Sequence, residues 1–277
     1  MKVLITGASG FLGKEFIQYF QKDYELIPCT RKDLDVTDSD QVHRFFEEND
    51  VDIILHTAFV GGKRQGKDTF DQFCDNVSAF NNLLKYKKDK HHLFCFGSGA
   101  SYDRRTVVKD MEEGLIFYSN PQDYYGKAKN LISRIIYENS PSCPVTNVYD
   151  FRLFGCFGKF EEESRFIKNV LASIRNNTPI TIHKNKVMDF FYVKDLCRVI
   201  EFYLQNEHLD LPRSLNICYS EKHTLLDIAN MIVEPNSHLI RLSEPGLDYY
   251  TGSGRKLSKL PIPLLGLQKG IEEMQNE

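Results

Sequence analysis

The segment that most constrains the fold lies at the N-terminus, where the apolar run Lys2–Thr6 meets Gly7-Ala8-Ser9-Gly10-Phe11-Leu12-Gly13. The run predicts a strand. Apolar Phe11, Leu12, Phe16, Ile17 and Phe20 then follow a 3.6-residue period, which predicts a helix over Phe11–Gln21. A glycine-rich turn between a strand and a helix suits a pyrophosphate. Gly7 permits the tight turn, Gly10 lets backbone amides approach the phosphates, and Gly13 lets helix and strand pack closely. The helix N-terminus adds unpaired N–H groups and a positive partial charge. Candidate contacts are therefore Gly7, Ser9, Gly10, Phe11 and Leu12; the alternative is a plain turn with incidental glycines.

The same alternation continues along the chain. Predicted strands Glu25–Thr30, Val51–Ala58, His92–Ser98 and Val145–Phe151 alternate with predicted helices Asp38–Glu48, Phe70–Tyr86 and Tyr125–Glu138, the first of these capped by Thr37 or Asp38. A parallel return needs a crossover, so the pattern implies βαβ units. The expected class is α/β, a doubly wound parallel sheet of the Rossmann type. Beyond Phe154 the pattern loosens into predicted helices Ser164–Arg175, Val193–Leu204 and Leu225–Val233. Short strands are predicted at Ile180–His183, Leu215–Cys218 and Leu239–Leu242, and the glycine- and proline-rich tail reads as loop. The expectation is a dinucleotide-binding domain over residues 1–154. A smaller α/β substrate lobe follows over 155–277, with some segments returning to the main sheet.

Composition narrows the setting. A net charge of −3 argues against nucleic acid as partner, because polyanion binding needs a basic surface. No apolar run approaches the roughly 18–20 residues that span a bilayer, so no membrane role is expected. The N-terminal apolar stretch is too short for a signal peptide. The 7 cysteines contain no C-x-x-C pair and sit mostly in apolar runs, which suits reduced, buried thiols in the cytoplasm. The histidines and acids show no metal-ligand spacing, so no metal is expected.

The end of the second strand bears on the cofactor. An acid there bonds the ribose 2′-OH of NAD, whereas an arginine accommodates the 2′-phosphate of NADP. Arg31 stands at that place in Pro28-Cys29-Thr30-Arg31-Lys32, favouring NADP(H) over NAD(H), while Asp33 just beyond keeps NAD open. Asp35 and Val36 are candidate adenine contacts.

Tyr125 and Lys129 lie one helical turn apart, on the same helix face. A free tyrosine, with a pKa of about 10, is a poor acid–base group at neutral pH, and a nearby ammonium favours its phenolate. Tyr124 has no lysine one turn on and is the poorer candidate. Ser98 is the first hydroxyl at the end of the fourth strand, where ligand crevices open in α/β sheets, and Ser101 is its runner-up. Either hydroxyl could instead make turn hydrogen bonds. His56, ending a buried strand, reads as a core histidine. The basic stretch Lys63-Arg64-Gln65-Gly66-Lys67 reads as a solvated loop or as a diphosphate or partner contact. Arg255 and Lys256 in the tail are candidates to grip a substrate diphosphate.

The loop Thr6–Gly13, Ser98 before Tyr102, the Tyr125/Lys129 pair and Asp189-Phe190-Phe191-Tyr192-Val193-Lys194-Asp195 together resemble the extended short-chain dehydrogenase/reductase family. The likeness is to its nucleotide-sugar epimerases, dehydratases and 4-keto reductases, and it covers nearly the whole chain. Thr30-Arg31-Lys32-Asp33-Leu34-Asp35 and His56-Thr57-Ala58-Phe59-Val60-Gly61-Gly62 look most like GDP-fucose synthases, NADPH enzymes acting on a GDP-4-keto-6-deoxymannose. By that resemblance Ser98 orients the sugar C4 oxygen, and Tyr125 donates or removes its proton. Lys129 tunes the tyrosine and grips the nicotinamide ribose, Ala58 and Leu153 line the cofactor, and Asn76 is mainly architectural. Many relatives dimerise through the helices corresponding to Phe70–Tyr86 and Tyr125–Glu138, which implies a homodimer.

Several residues depart from the pattern. Gly155 replaces a common asparagine, Met188 a common arginine, and Ser9 an arginine of the fucose synthases. Ala100 stands at the cysteine position of those double epimerases, and the matching histidine is missing after Gly158. A 4-keto reduction of a nucleotide sugar therefore fits best, with a C4 epimerase holding its cofactor tightly as the alternative. A non-catalytic dinucleotide sensor or scaffold fits less well, because Ser98, Tyr125 and Lys129 are intact.

Overall fold

In chain order the elements are β1 (Lys2–Thr6), α1 (Phe11–Phe20), β2 (Glu25–Cys29), α2 (Ser39–Glu48), β3 (Ile53–His56), α3 (Phe70–Tyr86), β4 (His92–Ser98) and β5 (Val108–Met111). They continue as α4 (Tyr124–Glu138), β6 (Val148–Leu153), β7 (Cys156–Phe157), α5 (Phe166–Arg175), β8 (Ile180–Met188) and β9 (Phe191–Tyr192). Last come α6 (Val193–Gln205), β10 (Ser214–Ile217), α7 (Leu225–Ile232), β11 (Ile240–Gly252) and α8 (Leu267–Asn276). The computed structural model describes residues 1–62, 66–138, 145–233 and 238–276. Cys143 and the loop residues Lys63, Arg64 and Gln65 lie outside the described residues.

Two compact units divide the chain. The first comprises Met1–Arg104, Glu113–Arg152 and Leu211–Leu215; the second comprises Arg105–Glu112, Leu153–Asp210 and Asn216–Glu277. The first is built on the expected parallel sheet, of 6 strands in the order β10-β6-β4-β3-β1-β2. β1 pairs in parallel with both β2 and β3, and β3 with β4. The chain leaves β1 for β2 on one side, then crosses to β3 on the other. That reversal is the topological switch point where α/β sheets bind ligands.

The strands are short continuous apolar runs because helices cover both sheet faces. Leu4, Ile54, Leu93 and Val148 share one buried cluster with Val42 and Phe46 of α2, Ala79, Phe80 and Leu83 of α3, and Ile132 and Ile136 of α4. Asp38 is the N-cap of α2, its side chain accepting from the Asp40 and Gln41 N–H groups. Thr69 and Gln72 form a capping box that starts α3.

Two strands of this sheet differ from the sequence expectation by more than one residue. The strand predicted over Val51–Ala58 contracts to Ile53–His56, because Thr57 turns back and its hydroxyl donates to the Thr6 carbonyl at 2.6 Å. The strand predicted over Val145–Phe151 runs instead from Val148 to Leu153, since Asn147 adopts a positive φ of 53° just before it.

The second unit holds a 3-stranded sheet, β5-β11-β8, and the 2-stranded pair β7-β9. Here the expected loop-rich tail is corrected. The strand predicted over Leu239–Leu242 extends through Ile240–Gly252, the one predicted over Ile180–His183 extends to Met188, and Leu267–Asn276 is helical. β11 is exposed along most of its length, so no apolar alternation marks it. Backbone pairing with β8 defines it, interrupted between Glu244 and Leu247 where Pro245 and Gly246 break the register.

Candidate active site

The glycine loop is held by backbone contacts that exclude side chains. Gly7 has φ +70°, and a Cβ there would lie 2.7 Å from the Ala58 nitrogen. A Cβ on Gly13 would lie 2.4 Å from the Gly7 carbonyl oxygen. The loop closes through Gly10 N–H to the Gly7 carbonyl at 2.9 Å. Gly10 is the N-cap of α1 and offers no side-chain cap, so the first-turn N–H groups are not taken up by one. Ser9 and Gly10 are exposed, and Phe11 and Leu12 half-buried. This cradle fits the pyrophosphate of a dinucleotide.

Beyond the end of β2, Arg31, Asp33 and Asp35 are each engaged by neighbouring groups. Asp33 folds back, accepting from the Thr30 N–H at 2.8 Å and the Thr30 hydroxyl at 2.7 Å. Arg31 is exposed, donates to Asp35 at 3.0 Å, and lies 3.9 Å from Asp75. Asp35 also accepts from the Thr37 hydroxyl at 2.7 Å. Hydrogen bonds from Thr37 and Arg31 hold its carboxyl below the usual range, against the opposing pull of burial. Val36 is buried, and Ala58 packs half-buried against the same core.

Tyr125 and Lys129 both lie on α4, with Ser98 at the end of β4. Tyr125 and Ser98 are half-buried. Lys129 is 8% exposed and donates to the Phe96 carbonyl at 2.6 Å. Its Nζ lies 3.4 Å from the Phe59 ring centroid and 5.7 Å from that of Tyr125. Burial pulls the Lys129 ammonium down to about 7, an effect opposed by Cys95 and Asp150. The Ser98 hydroxyl accepts from the Ala100 N–H at 3.1 Å, starting a short 3-10 turn. Ser101 is fully buried, and its hydroxyl has no hydrogen-bond partner among the described residues. Tyr124 packs in an aromatic group with Phe70 and Phe73 of α3, edge-on to the first and tilted against the second.

The remaining candidates belong to the second unit. Arg255 is exposed and held by two carboxylates, Glu112 at 2.8 Å and Asp110 at 3.4 Å. Lys256 and Leu153 are half-buried. No group of three or more His, Cys, Asp or Glu side chains among the described residues could hold a metal ion. No helix among them is long and apolar enough to cross a membrane.

A family model for NAD dependent epimerases/dehydratases matches residues 3–218, which takes in the glycine loop, Ser98, Tyr125 and Lys129. The chain belongs to that family. Within it, the chain is 26% identical over 255 residues to GDP-L-colitose synthase of Yersinia pseudotuberculosis, covering 84% of this chain and 82% of the relative. It is 25% identical over 261 residues to GDP-6-deoxy-D-talose 4-dehydrogenase of Aggregatibacter actinomycetemcomitans, covering 88% and 83%. Among solved structures, GDP-mannoheptose C4 reductase from Campylobacter jejuni with NADP bound superposes with a TM-score of 0.81 at 19% identity, covering 99% of this chain and 97% of the other. dTDP-glucose 4,6-dehydratase from Bacillus anthracis in complex with NAD gives 0.75 at 16% identity, covering 100% and 96%. At these identities the structures show a shared fold. The enzyme class read from the sequence is the class of this family.

Sequence reading missed several groups that shape this epimerase/dehydratase-family site. Phe59 packs edge-on against Tyr125, with ring centroids 5.4 Å apart, and also covers Lys129. Gly62 has φ +69°, and a Cβ on it would lie 2.8 Å from the Tyr125 ring, so glycine there admits the tyrosine. Its N–H donates to Asp68 at 2.8 Å. His56 behaves as expected of a core histidine: its Nδ1 shares a 2.9 Å hydrogen bond with Thr6, and burial lowers it to about 3. The buried pair Asp150–Arg152, joined at 2.7 Å, had a visible signal, two opposite charges inside an otherwise apolar strand.

Proposed function

We propose that this chain is an NADP(H)-dependent reductase of the C4 ketone in a nucleotide-activated deoxy sugar. The observation that carries the reading is the set Ser98, Tyr125 and Lys129, gathered in the same unit as the glycine loop, with Phe59 and Gly62 shaping the space around the tyrosine. The names of the relatives support it, since the Campylobacter neighbour is a GDP-sugar C4 reductase with NADP bound. In this reading residues 1–154 bind the dinucleotide and 155–277 choose the sugar.

The cofactor, when bound, supplies hydride to the sugar carbon. The glycine loop and the α1 N-terminus would hold its pyrophosphate, with Ala58 and Leu153 lining it, and Arg31, now paired with Asp35, would bind the 2′-phosphate. Ser98 orients the C4 oxygen, and Tyr125 delivers the proton that neutralises the developing alkoxide. Lys129 favours the phenolate left behind. Arg255 and Lys256 are the residues assigned to grip the substrate diphosphate. The working form is a cytoplasmic homodimer, consistent with exposed Phe70 on α3 and Leu131 and Tyr137 on α4.

Purified protein given NADPH and GDP-, dTDP-, UDP- and CDP-linked 4-keto-deoxy sugars is expected to oxidise the cofactor with at least one of them. Oxidation with none would overturn the reading. A second reading, a C4 epimerase with tightly held NAD, draws on the engagement of Arg31 by Asp35 and Asp75. Cofactor released from the protein as purified and identified by mass separates the two.

A further inference from the structure

We propose that Asp150 is the buried counter-ion of Lys129 and acts as its positioning residue across a cavity that the two side chains line. The proposal rests on the reading of Lys129 as the partner of Tyr125. Asp150, on β6, is 1% exposed. Its Oδ2 accepts from Arg152 Nε at 2.7 Å, while its Oδ1, equally buried, has no hydrogen-bond partner among the described residues. Arg152 also serves other acceptors, donating through Nη1 to the Tyr102 hydroxyl at 3.0 Å and the Glu113 carbonyl at 2.8 Å. Asp150 lines a cavity together with Lys129, His56, Cys95 and Phe59, and it is the sole carboxylate of that lining.

Gly97 makes this placement possible. A Cβ on Gly97 would lie 2.2 Å from Asp150 Oδ1, so any side chain at that point of β4 would displace the carboxylate. A buried ammonium with one carbonyl acceptor is costly unless an opposite charge faces it. Among the described residues, the titratable groups that line this cavity with Lys129 are Cys95 on β4, His56 on β3 and Asp150 on β6, with Arg152 bonded to Asp150 and Tyr125 on the helix of Lys129. Burial pushes the Cys95 thiol up and the His56 imidazole down, so both stay neutral near pH 7. Asp150, ion-paired to Arg152, brings the carboxylate to this lining. A buried Asp–Arg pair contributes little to stability that packed apolar residues could not supply, and an anion for Lys129 gives this pair a use.

The test measures unfolding free energy against pH for the wild type, Lys129→Met, Asp150→Asn and the double variant. Comparison with and without Lys129 in each background reports where the folded protein releases the Lys129 proton, and it needs no substrate. Asp150→Asn is expected to move that release to lower pH by about one unit or more. Arg152→Gln, which frees the carboxylate, is expected to move it the opposite way and carries the test should Asp150→Asn fail to fold. With an active substrate, the basic limb of the kcat profile is expected to follow the same shifts, whereas a merely structural Asp150 would lower kcat equally at every pH. Proton release at an unchanged pH in the folded variants would overturn the proposal. A shift in proton release with no reductase activity would instead sink the proposed function and leave the Asp150–Lys129 pair standing.

Discussion

The two units achieve their order by different means. In the first, backbone meets backbone: Gly13 packs where a Cβ would lie 2.4 Å from the Gly7 oxygen, and β3 is buried along its whole length. In the second, the longest strand is mostly exposed, and charged residues pair across the surface, as Asp248 of that strand does with Lys184 and Arg255 beyond it does with Glu112 and Asp110. Close backbone approach tolerates no substitute, so it fixes chemistry common to a family. Exposed ion pairs are weak and exchange partners easily, so they suit a surface whose specificity varies.

The sharpest test of that contrast exchanges glycines. Gly13→Ala forces a backbone shift and is expected to cost about 3 kcal/mol and abolish dinucleotide binding. Gly246→Ala, whose Cβ would meet only the Lys184 side chain, is expected to cost about 1 kcal/mol, mainly through its φ of +107°. Equal losses in chemical unfolding would erase the distinction.

Lys129 exposes the cost of burying charge in the first unit. Its folded value, about 7, lies below its usual 10.5, so between them the unfolded chain binds the extra proton and stability rises with pH. The penalty is therefore fully present below pH 7. Lys129→Met is expected to be more stable than wild type there, by about 2–4 kcal/mol. That advantage should fade as pH approaches 10.5. A stability difference that does not change with pH would show that the ammonium is not desolvated.

Smaller effects should distinguish the two arginines. Arg31→Ala is expected to raise the KM for NADPH about tenfold, or about 1.4 kcal/mol, and to leave that for NADH unchanged. Arg255→Ala removes only exposed ion pairs and is expected to change stability by less than about 1 kcal/mol, its effect falling on the KM for the sugar nucleotide. Parallel kinetics with both cofactors check the pair.

The first unit was legible in the sequence because its signals are local. The glycine spacing, the cap of α2 (Asp38, of the two candidates) and the apolar runs each act within a few residues, and each marks its element even where strand ends shift. The catalytic candidates were legible for the same reason, since Tyr125 and Lys129 share a helix turn. Phe59, Gly62 and Asp150 were not, because their contacts join β3, β4, β6 and α4 across long sequence separations. Most of β11 beyond Leu242 escaped notice because its order comes from ladder pairing with β8 and not from a buried face. Arg31 lies just past β2, and its attachment to Asp35 and Asp75 depends on a turn that composition does not reveal.

The most direct measurement compares wild type with Tyr125→Phe, following NADPH oxidation on an accepted 4-keto sugar nucleotide and cofactor binding by titration. With Tyr125 as the proton donor, kcat should fall by roughly 10²–10⁴-fold, with the Kd for NADPH within about twofold of wild type. Turnover close to wild type in a variant that still binds NADPH would contradict the central claim.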